Sequence, residues 1–132
     1  MKKIYIACSL THASDEFKQE IKKLKELLKT RYEIMEFLGL ETGTAKDVYK
    51  HDIENVKTCD LLLAECSHPS TGLGFEIATA LAGHRPILAV AKKDAKVSRL
   101  ILGINSTLFS LMEYQTLDEI ADGVEKKLAG II

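Results

Sequence analysis

No segment of this sequence approaches the roughly 18 consecutive apolar residues that a membrane-spanning helix requires. The apolar run near the amino terminus, Ile4 to Cys8, is also far too short for a signal peptide, so we expect it to form a strand. The formal net charge is only −1, and no excess of basic charge favours nucleic acid or an anionic membrane surface. We therefore expect no nucleic-acid partner and no membrane partner.

Cysteine is scarce as well. Cys8, Cys59 and Cys66 are odd in number, and their spacing matches neither a CxxC pair nor a cysteine–histidine zinc motif. We expect reduced, mostly buried thiols in a cytoplasmic protein, with no metal and no other cofactor. Internal repeats, low-complexity tracts and linkers are also missing, so the sequence predicts one domain over residues 1–132.

The composition that remains is that of an ordinary globular protein. Hydrophobic residues make up 46% of the chain and charged residues 28%, and the mean hydropathy is zero. A chain of this length buries roughly two-thirds of the surface that its unfolded form exposes, which is enough for a substantial core.

Apolar runs alternate with helical patterns along the whole chain. The predicted order is strand 3–8, helix 14–29, strand 32–37, helix 45–58, strand 61–66, helix 75–82, strand 86–91, helix 97–102, strand 107–112 and helix 116–128. Such an alternation predicts an α/β fold, a three-layer sandwich around a five-stranded parallel sheet of the flavodoxin-like or Rossmann-like type. We expect the first and third strands to be central.

The segment from Asp60 to Glu76 is the most informative part of the chain. It begins as a buried strand, breaks at Pro69, and passes two glycines, Gly72 and Gly74, before Glu76 enters the first turn of the predicted helix. Folds of this type bind their ligands at the carboxyl ends of central strands. An acidic side chain there has two readings: it forms part of a site, or it complements the positive end of the helix dipole.

Further polar side chains are expected at the same edge of the sheet. Tyr5 and Ser9 belong to the first strand and its end, and Asp52 lies on the helix before the third strand. Each has an ordinary alternative, as a core residue, a helix cap or a solvated helix residue. The glycine pair alone is a weak phosphate loop, because Ile77 stands where the dinucleotide fingerprint has a third glycine.

The four histidines are weaker candidates for the site. His12, His51 and His84 are predicted to lie on the surface, and none is spaced to pair with a serine or cysteine nucleophile. His68 is predicted to lie in the loop before Pro69, where ligand contact is one possibility.

Several motifs together resemble one family. They are Tyr5-Ile-Ala-Cys-Ser9, His51-Asp52-Ile, Asp60-Leu-Leu-Leu-Ala-Glu65 and Pro69-Ser70-Thr-Gly72-Leu-Gly74-Phe-Glu76. They resemble the nucleoside 2-deoxyribosyltransferase superfamily, and within it the 2′-deoxynucleoside 5′-phosphate N-hydrolase branch. The resemblance extends from Lys3 to about Gly103.

The resemblance implies a role for each matching residue. Glu76 corresponds to the nucleophile, Asp52 to a second catalytic carboxylate, and Tyr5 to the hydroxyl that orients the nucleophile. The substrate and phosphate site corresponds to Ser9, Ser70, Gly72, Gly74 and Ser98. Ser98 corresponds to a serine that a neighbouring subunit supplies, so the resemblance also implies a homodimer with a site shared across its interface.

Two positions depart from the pattern of the hydrolase branch. Thr11 stands where the family usually has an arginine, and Cys8 stands where it usually has a glycine. The predicted phosphate site therefore lacks the bidentate cation that an arginine provides. Arg99, Lys92 and His12 are the alternative cations for this site.

The expected activity is hydrolysis of the N-glycosidic bond of (deoxy)ribonucleoside 5′-monophosphates, giving a free base and a (deoxy)ribose 5-phosphate. Two alternatives remain open: base exchange between deoxyribonucleosides, and a nucleotide-binding module without turnover. A binding module gives no reason for both Asp52 and Glu76, whereas hydrolysis and base exchange both require two carboxylates.

Overall fold

The computed structural model describes residues 1–39 and 42–130, and within these ranges strands and helices alternate along the chain. The strands are β1 (Lys3–Cys8), β2 (Glu33–Met35), β3 (Leu61–Glu65), β4 (Ile87–Lys92) and β5 (Phe109–Tyr114). The helices are α1 (Asp15–Lys29), α2 (Ala45–Thr58), α3 (Thr71–Ala82), α4 (Arg99–Leu102) and α5 (Leu117–Leu128). None of these helices is long and apolar enough to cross a membrane.

The five strands form one parallel sheet in the order β2-β1-β3-β4-β5. The predicted α/β fold with a five-stranded parallel sheet is confirmed, and β1 and β3 are neighbours near its centre. The chain adds strands on one side of β1 and then on the other, so the carboxyl ends of β1 and β3 meet where this direction changes. This juxtaposition places the candidate site.

Two apolar clusters fill the space on the two faces of the sheet. Alternate residues of β3 serve both, because Leu62 and Ala64 face α2 and α3 whereas Leu61 and Leu63 face α1 and α5. All five residues of β3 are buried, as expected for a parallel strand that helices cover on both sides. Tyr5 of β1 is fully buried on the α2 and α3 face.

The helix α3 begins four residues earlier than the sequence predicts. Ser70 is its N-cap, and the Ser70 Oγ accepts a hydrogen bond of 3.2 Å from the Leu73 backbone N–H. This cap stabilises a first turn that contains Gly72 and Gly74, so the two glycines belong to the helix and not to a preceding loop. The prediction that Glu76 lies in the first helical turn is therefore wrong.

Two edge strands also differ from their predicted bounds. The strand β2 is only three residues long, and β5 begins two residues later than predicted. A turn at Ser106 explains the second difference, because the Ser106 Oγ accepts from the Leu108 N–H at 3.2 Å and the Ser106 carbonyl accepts from the Phe109 N–H at 3.2 Å. The chain becomes extended only after this turn.

Candidate active site

A cavity of about 310 Å³ lies at the carboxyl end of β1, between α2 and α3. It brings together six residues of the predicted site: Tyr5, Ser9, Asp52, Ser70, Gly72 and Glu76. The other lining residues include an apolar group formed by Phe37, Leu38 and Val48. The cavity thus has an acidic centre, a wall of apolar side chains and several hydroxyl groups.

A hydrogen bond joins Tyr5 and Glu76 in the lining of this cavity. The Tyr5 hydroxyl donates to the Glu76 Oε2 at 2.5 Å, and the two residues are 71 positions apart in the sequence. Tyr5 is held rigidly because its ring is fully buried within β1. The contact therefore fixes the Glu76 carboxyl relative to the sheet and leaves Oε1 for other partners.

Glu76 does not have the electrostatic surroundings expected for a residue in the first turn of a helix. Glu76 is the sixth residue of α3 and lies in the second turn, where the helix dipole has little effect. Burial raises the pKa of Glu76 to about 7, and the nearby Asp52 carboxylate adds to the increase, whereas the Tyr5 hydrogen bond opposes it. Glu76 is thus poised between its protonated and ionised forms at neutral pH.

Asp52 is held by two contacts to a single oxygen. The Asp52 Oδ1 accepts the Leu38 backbone N–H at 2.9 Å and lies 2.9 Å from the His51 Nδ1. Its side chain is only 15% exposed, whereas that of His51 is 44% exposed. The structure confirms that His51 is at the surface, but the sequence analysis missed its contact with Asp52. Helical spacing gives no signal for such a contact, because adjacent residues do not face each other on a helix.

The hydroxyl groups gather at the amino-terminal end of α3. Ser9 follows β1, and Ser70 caps α3 while lining the cavity. Because the Ser70 Oγ already accepts the Leu73 N–H, its own proton remains available for donation into the cavity. Gly72 adds backbone without a side chain beside Ser70: a Cβ built at Gly72 would lie 3.8 Å from the Ser70 Oγ.

Gly74 and Ser98 do not line the cavity that contains the carboxylates. They line an adjoining cavity of about 420 Å³ together with Cys66, His68 and Leu100, among others, and Ser70 and Leu73 line both cavities. His68 occupies the loop predicted for it, and its ring contacts the Phe17 ring edge-on with centroids 4.7 Å apart. Within one chain, the predicted site is therefore divided between two adjoining cavities.

The cavity with the carboxylates has no lysine, arginine or histidine among the described residues that line it. Thr11, at the position where the resemblance implied an arginine, is among these residues. The described part of the chain likewise contains no group of three or more histidine, cysteine or acidic residues arranged to hold a metal ion.

A second buried carboxyl, that of Glu65, holds the loop between β3 and α3. It accepts hydrogen bonds from the Ser67 N–H at 2.6 Å, from the Ser67 Oγ at 2.9 Å, and from the Tyr114 hydroxyl. The Ser67 Oγ also accepts the Lys92 N–H at 2.8 Å, so the loop is tied to β4 and β5. The sequence analysis did not assign this role to Glu65, since the contact with Tyr114 joins residues 49 positions apart.

Comparison with known proteins adds family relationships to this geometry. Residues 4–116 match the family described as nucleoside 2-deoxyribosyltransferase. A protein of Thermofilum pendens, named "Putative 2'-deoxynucleoside 5'-phosphate N-hydrolase 1", is 34% identical over 85% of this chain and 85% of its own.

Two solved structures share the fold. One is a CMP N-glycosidase of Clostridium botulinum, with a TM-score of 0.68 and 21% identity, covering 94% of this chain and 99% of its own. The other is a 2-desoxiribosyltransferase from Leishmania mexicana, with a TM-score of 0.70 and 17% identity, covering 95% of this chain and 98% of its own.

The position of Glu76 predicts a pH-dependent effect on stability. Because burial raises the pKa of this acid from 4.5 to about 7, the folded state binds the extra proton between these values, and the contribution of Glu76 to stability falls as pH rises through that range. Glu76→Gln should therefore gain stability over the wild type by roughly 1–3 kcal/mol at pH 8, and less at pH 5. Thermal melting at both pH values measures the gain.

The matched control is Glu26→Gln, since Glu26 is exposed on α1. It should show no comparable difference between pH 5 and pH 8. An equal effect of Glu76→Gln at both pH values would contradict the raised pKa of Glu76.

Proposed function

Because this chain belongs to the nucleoside 2-deoxyribosyltransferase family, we propose that it is a nucleotide N-glycosidase. The proposed reaction is hydrolysis of the N-glycosidic bond of (deoxy)ribonucleoside 5′-monophosphates, giving free base and (deoxy)ribose 5-phosphate. The Thermofilum pendens relative, 34% identical, is named for an N-hydrolase activity of this type. The observation that carries the proposal is the meeting of Tyr5, Asp52 and Glu76 in one cavity.

In the proposed mechanism, the Glu76 carboxylate attacks the anomeric carbon of the sugar. The bond from that carbon to the base nitrogen breaks as the bond to the Glu76 oxygen forms, and the electron pair leaves with the base. The Tyr5 hydroxyl holds Oε2 and thereby presents Oε1 for the attack. It also opposes the rise in the pKa of Glu76, so that a useful fraction of the carboxyl is ionised at neutral pH.

In the proposed reactive state the two carboxyl groups hold one proton between them, with Glu76 ionised and Asp52 protonated, and Asp52 supplies this proton to the leaving base. A purine or pyrimidine anion is a poor leaving group, so protonation during bond cleavage lowers the barrier. Water then attacks the anomeric carbon of the glycosyl ester, Asp52 accepts a proton from that water, and Glu76 is released as the carboxylate. Each proton and electron pair is thus accounted for by water, substrate and two carboxyl groups.

The phosphate is assigned to the hydroxyl end of the cavity. Ser9 and Ser70 provide hydroxyl donors, and the first turn of α3 provides backbone N–H groups near Gly72. The base is assigned to the apolar wall that contains Phe37, Leu38 and Val48. These assignments place the sugar between the phosphate end and the base, beside Glu76.

Base exchange is the second candidate function. In that reaction a second base, and not water, releases the sugar from Glu76. The observation that favours it is the lack of a cation among the described residues lining the cavity, because a site without a cation has less reason to prefer a phosphorylated substrate.

The principal test measures free-base release by chromatography from a panel of nucleosides and their 5′-monophosphates, with and without an added second base. We expect release from monophosphates in water, and a loss of at least about 100-fold in turnover for Glu76→Gln, since removing a nucleophile costs orders of magnitude. Glu26→Gln is the control with an unaltered cavity.

Other outcomes separate the alternatives. Faster release on addition of a second base would assign the protein to base exchange. Binding of monophosphates without any release would leave only a nucleotide-binding module. Near-normal release by folded Glu76→Gln would overturn the nucleophile assignment.

Gly72→Ala tests the location of the phosphate. The added methyl group meets only the Ser70 Oγ of the protein, at 3.8 Å, so the fold should tolerate it, and α3 should gain up to roughly 1 kcal/mol from the loss of a helical glycine. A phosphate beside Ser70 would be displaced by this methyl group. We expect the KM for the monophosphate to rise about tenfold, equivalent to about 1.4 kcal/mol, and the KM for the free nucleoside to rise less.

Gly74→Ala is the matched comparison within the same helix. Its added Cβ would have no neighbour within 4 Å, and Gly74 lies outside the cavity that contains the carboxylates. It should stabilise α3 similarly and affect the monophosphate KM less than Gly72→Ala does. Equal effects of the two substitutions would contradict a phosphate beside Ser70.

We retain the proposal of a homodimer in which Ser98 of one subunit completes the phosphate site of the other. Two exposed apolar groups support an interface. Leu100 of α4 is 84% exposed, although Val97 and Ile101 beside it pack on the core. Tyr49 of α2 and Phe75 of α3 form an exposed aromatic pair with ring centroids 6.2 Å apart.

Subunit mixing tests the shared site. Ser98→Ala and Glu76→Ala should each be weak alone, but mixed dimers would contain one site with both changes and one with neither. We expect base release to recover on mixing, up to about half of the wild-type activity per mixed dimer. Light scattering measures the mass, and a fully active monomer would overturn the proposal.

A further inference from the structure

His51 makes a contact that its position on the protein surface does not require. Its Nδ1 lies 2.9 Å from the Asp52 Oδ1 although its side chain is 44% exposed. A ring with this exposure contributes little to the core, and no ring-stacking partner is found for it among the described residues. The contact with Asp52 is therefore the feature of His51 that needs an explanation.

The contact distinguishes the two oxygens of the Asp52 carboxyl. The Leu38 backbone N–H donates to Oδ1 at 2.9 Å, and Oδ1 is also the oxygen that faces the His51 Nδ1. With a hydrogen on the His51 Nδ1, Oδ1 has two donors and is a poor place for an added proton, because both of its lone pairs are engaged. A proton on Asp52 therefore belongs on Oδ2, the oxygen that neither donor contacts.

We propose that His51 is a positioning residue: its Nδ1–H fixes the Asp52 carboxyl so that Oδ2 carries the proton and delivers it to the departing base. This inference rests on the proposed function and adds to it a residue that touches neither the sugar nor the base. The Leu38 N–H alone leaves the carboxyl free to turn about that single hydrogen bond. A second donor to the same oxygen narrows the range over which the carboxyl can turn about its Cβ–Cγ bond.

Two substitutions separate the hydrogen bond from the rest of the side chain. His51→Asn keeps an N–H donor near the position of Nδ1, whereas His51→Leu keeps an apolar side chain of comparable reach without any donor. Because His51 is half exposed, neither change should alter thermal melting appreciably. His84→Asn is the control, since His84 is exposed, lines neither cavity, and has a positive φ of 56° that asparagine tolerates.

The decisive readout compares two substrates. One is the monophosphate that the wild type hydrolyses fastest, and the other is its analogue with a base that leaves without protonation, such as an N7-methylated purine or a 5-fluorinated pyrimidine. We expect His51→Leu to lower kcat on the ordinary substrate about tenfold or more, within the ~10²–10⁴-fold that general acid catalysis contributes, with KM nearly unchanged. On the activated analogue the loss should be about twofold or less, an expectation that follows from the smaller need for a proton.

The possible results distinguish an error in the positioning role of His51 from an error in the proposed function. His51→Asn should recover most of the kcat that His51→Leu loses, and His84→Asn should match the wild type on both substrates. Equal losses on the two substrates, or equal losses in His51→Asn and His51→Leu, would overturn the positioning role while leaving the proposed function intact. A wild type that releases no base from any substrate would overturn the proposed function and this inference with it.

Discussion

The arrangement of the cavity depends on one requirement: the buried Glu76 carboxyl needs a hydrogen-bond donor, and Tyr5 provides it. An acidic side chain that is largely removed from water needs a donor, and here the donor comes from the rigid interior of the sheet. The bond is possible because β1 and β3 are neighbours, so that the helix following β3 passes directly over the end of β1. Strand order, helix placement and the protonation of Glu76 are thus linked by one contact.

The architecture could be predicted from the sequence because it depends on patterns that repeat along the chain. Continuous apolar runs identified β1 and β3, and residues at helical spacing identified α1 and α2, whose predicted and observed bounds agree closely. The start of α3 could not be read in this way. Gly72 and Gly74 are typical of loops, and only the cap formed by Ser70 shows that they belong to the helix.

The sequence selected residues that line one cavity, although Gly74 and Ser98 lie outside it, and it did not predict their electrostatic arrangement. Tyr5, Asp52 and Glu76 were selected together, and they line one cavity. Their interactions depend on depth and on distance, which the sequence does not contain. The raised pKa of Glu76 follows mainly from burial, and the contact between His51 and Asp52 follows from side-chain orientation within one helical turn. The division of the two cavities at Ser70 is likewise a property of the folded chain.

The hydrogen bonds around Glu65 affect how this protein responds to amino-acid substitutions. Tyr114 belongs to the edge strand farthest from β2, yet its hydroxyl reaches across β4 to the carboxyl that holds the loop before Ser70. A buried carboxyl that loses a donor is costly, since its desolvation is then left uncompensated. The destabilisation caused by a substitution in this protein therefore does not depend only on the distance of that residue from the cavity. A substitution of Tyr114 at the far edge of the sheet would disturb the loop that leads to Ser70 at the cavity.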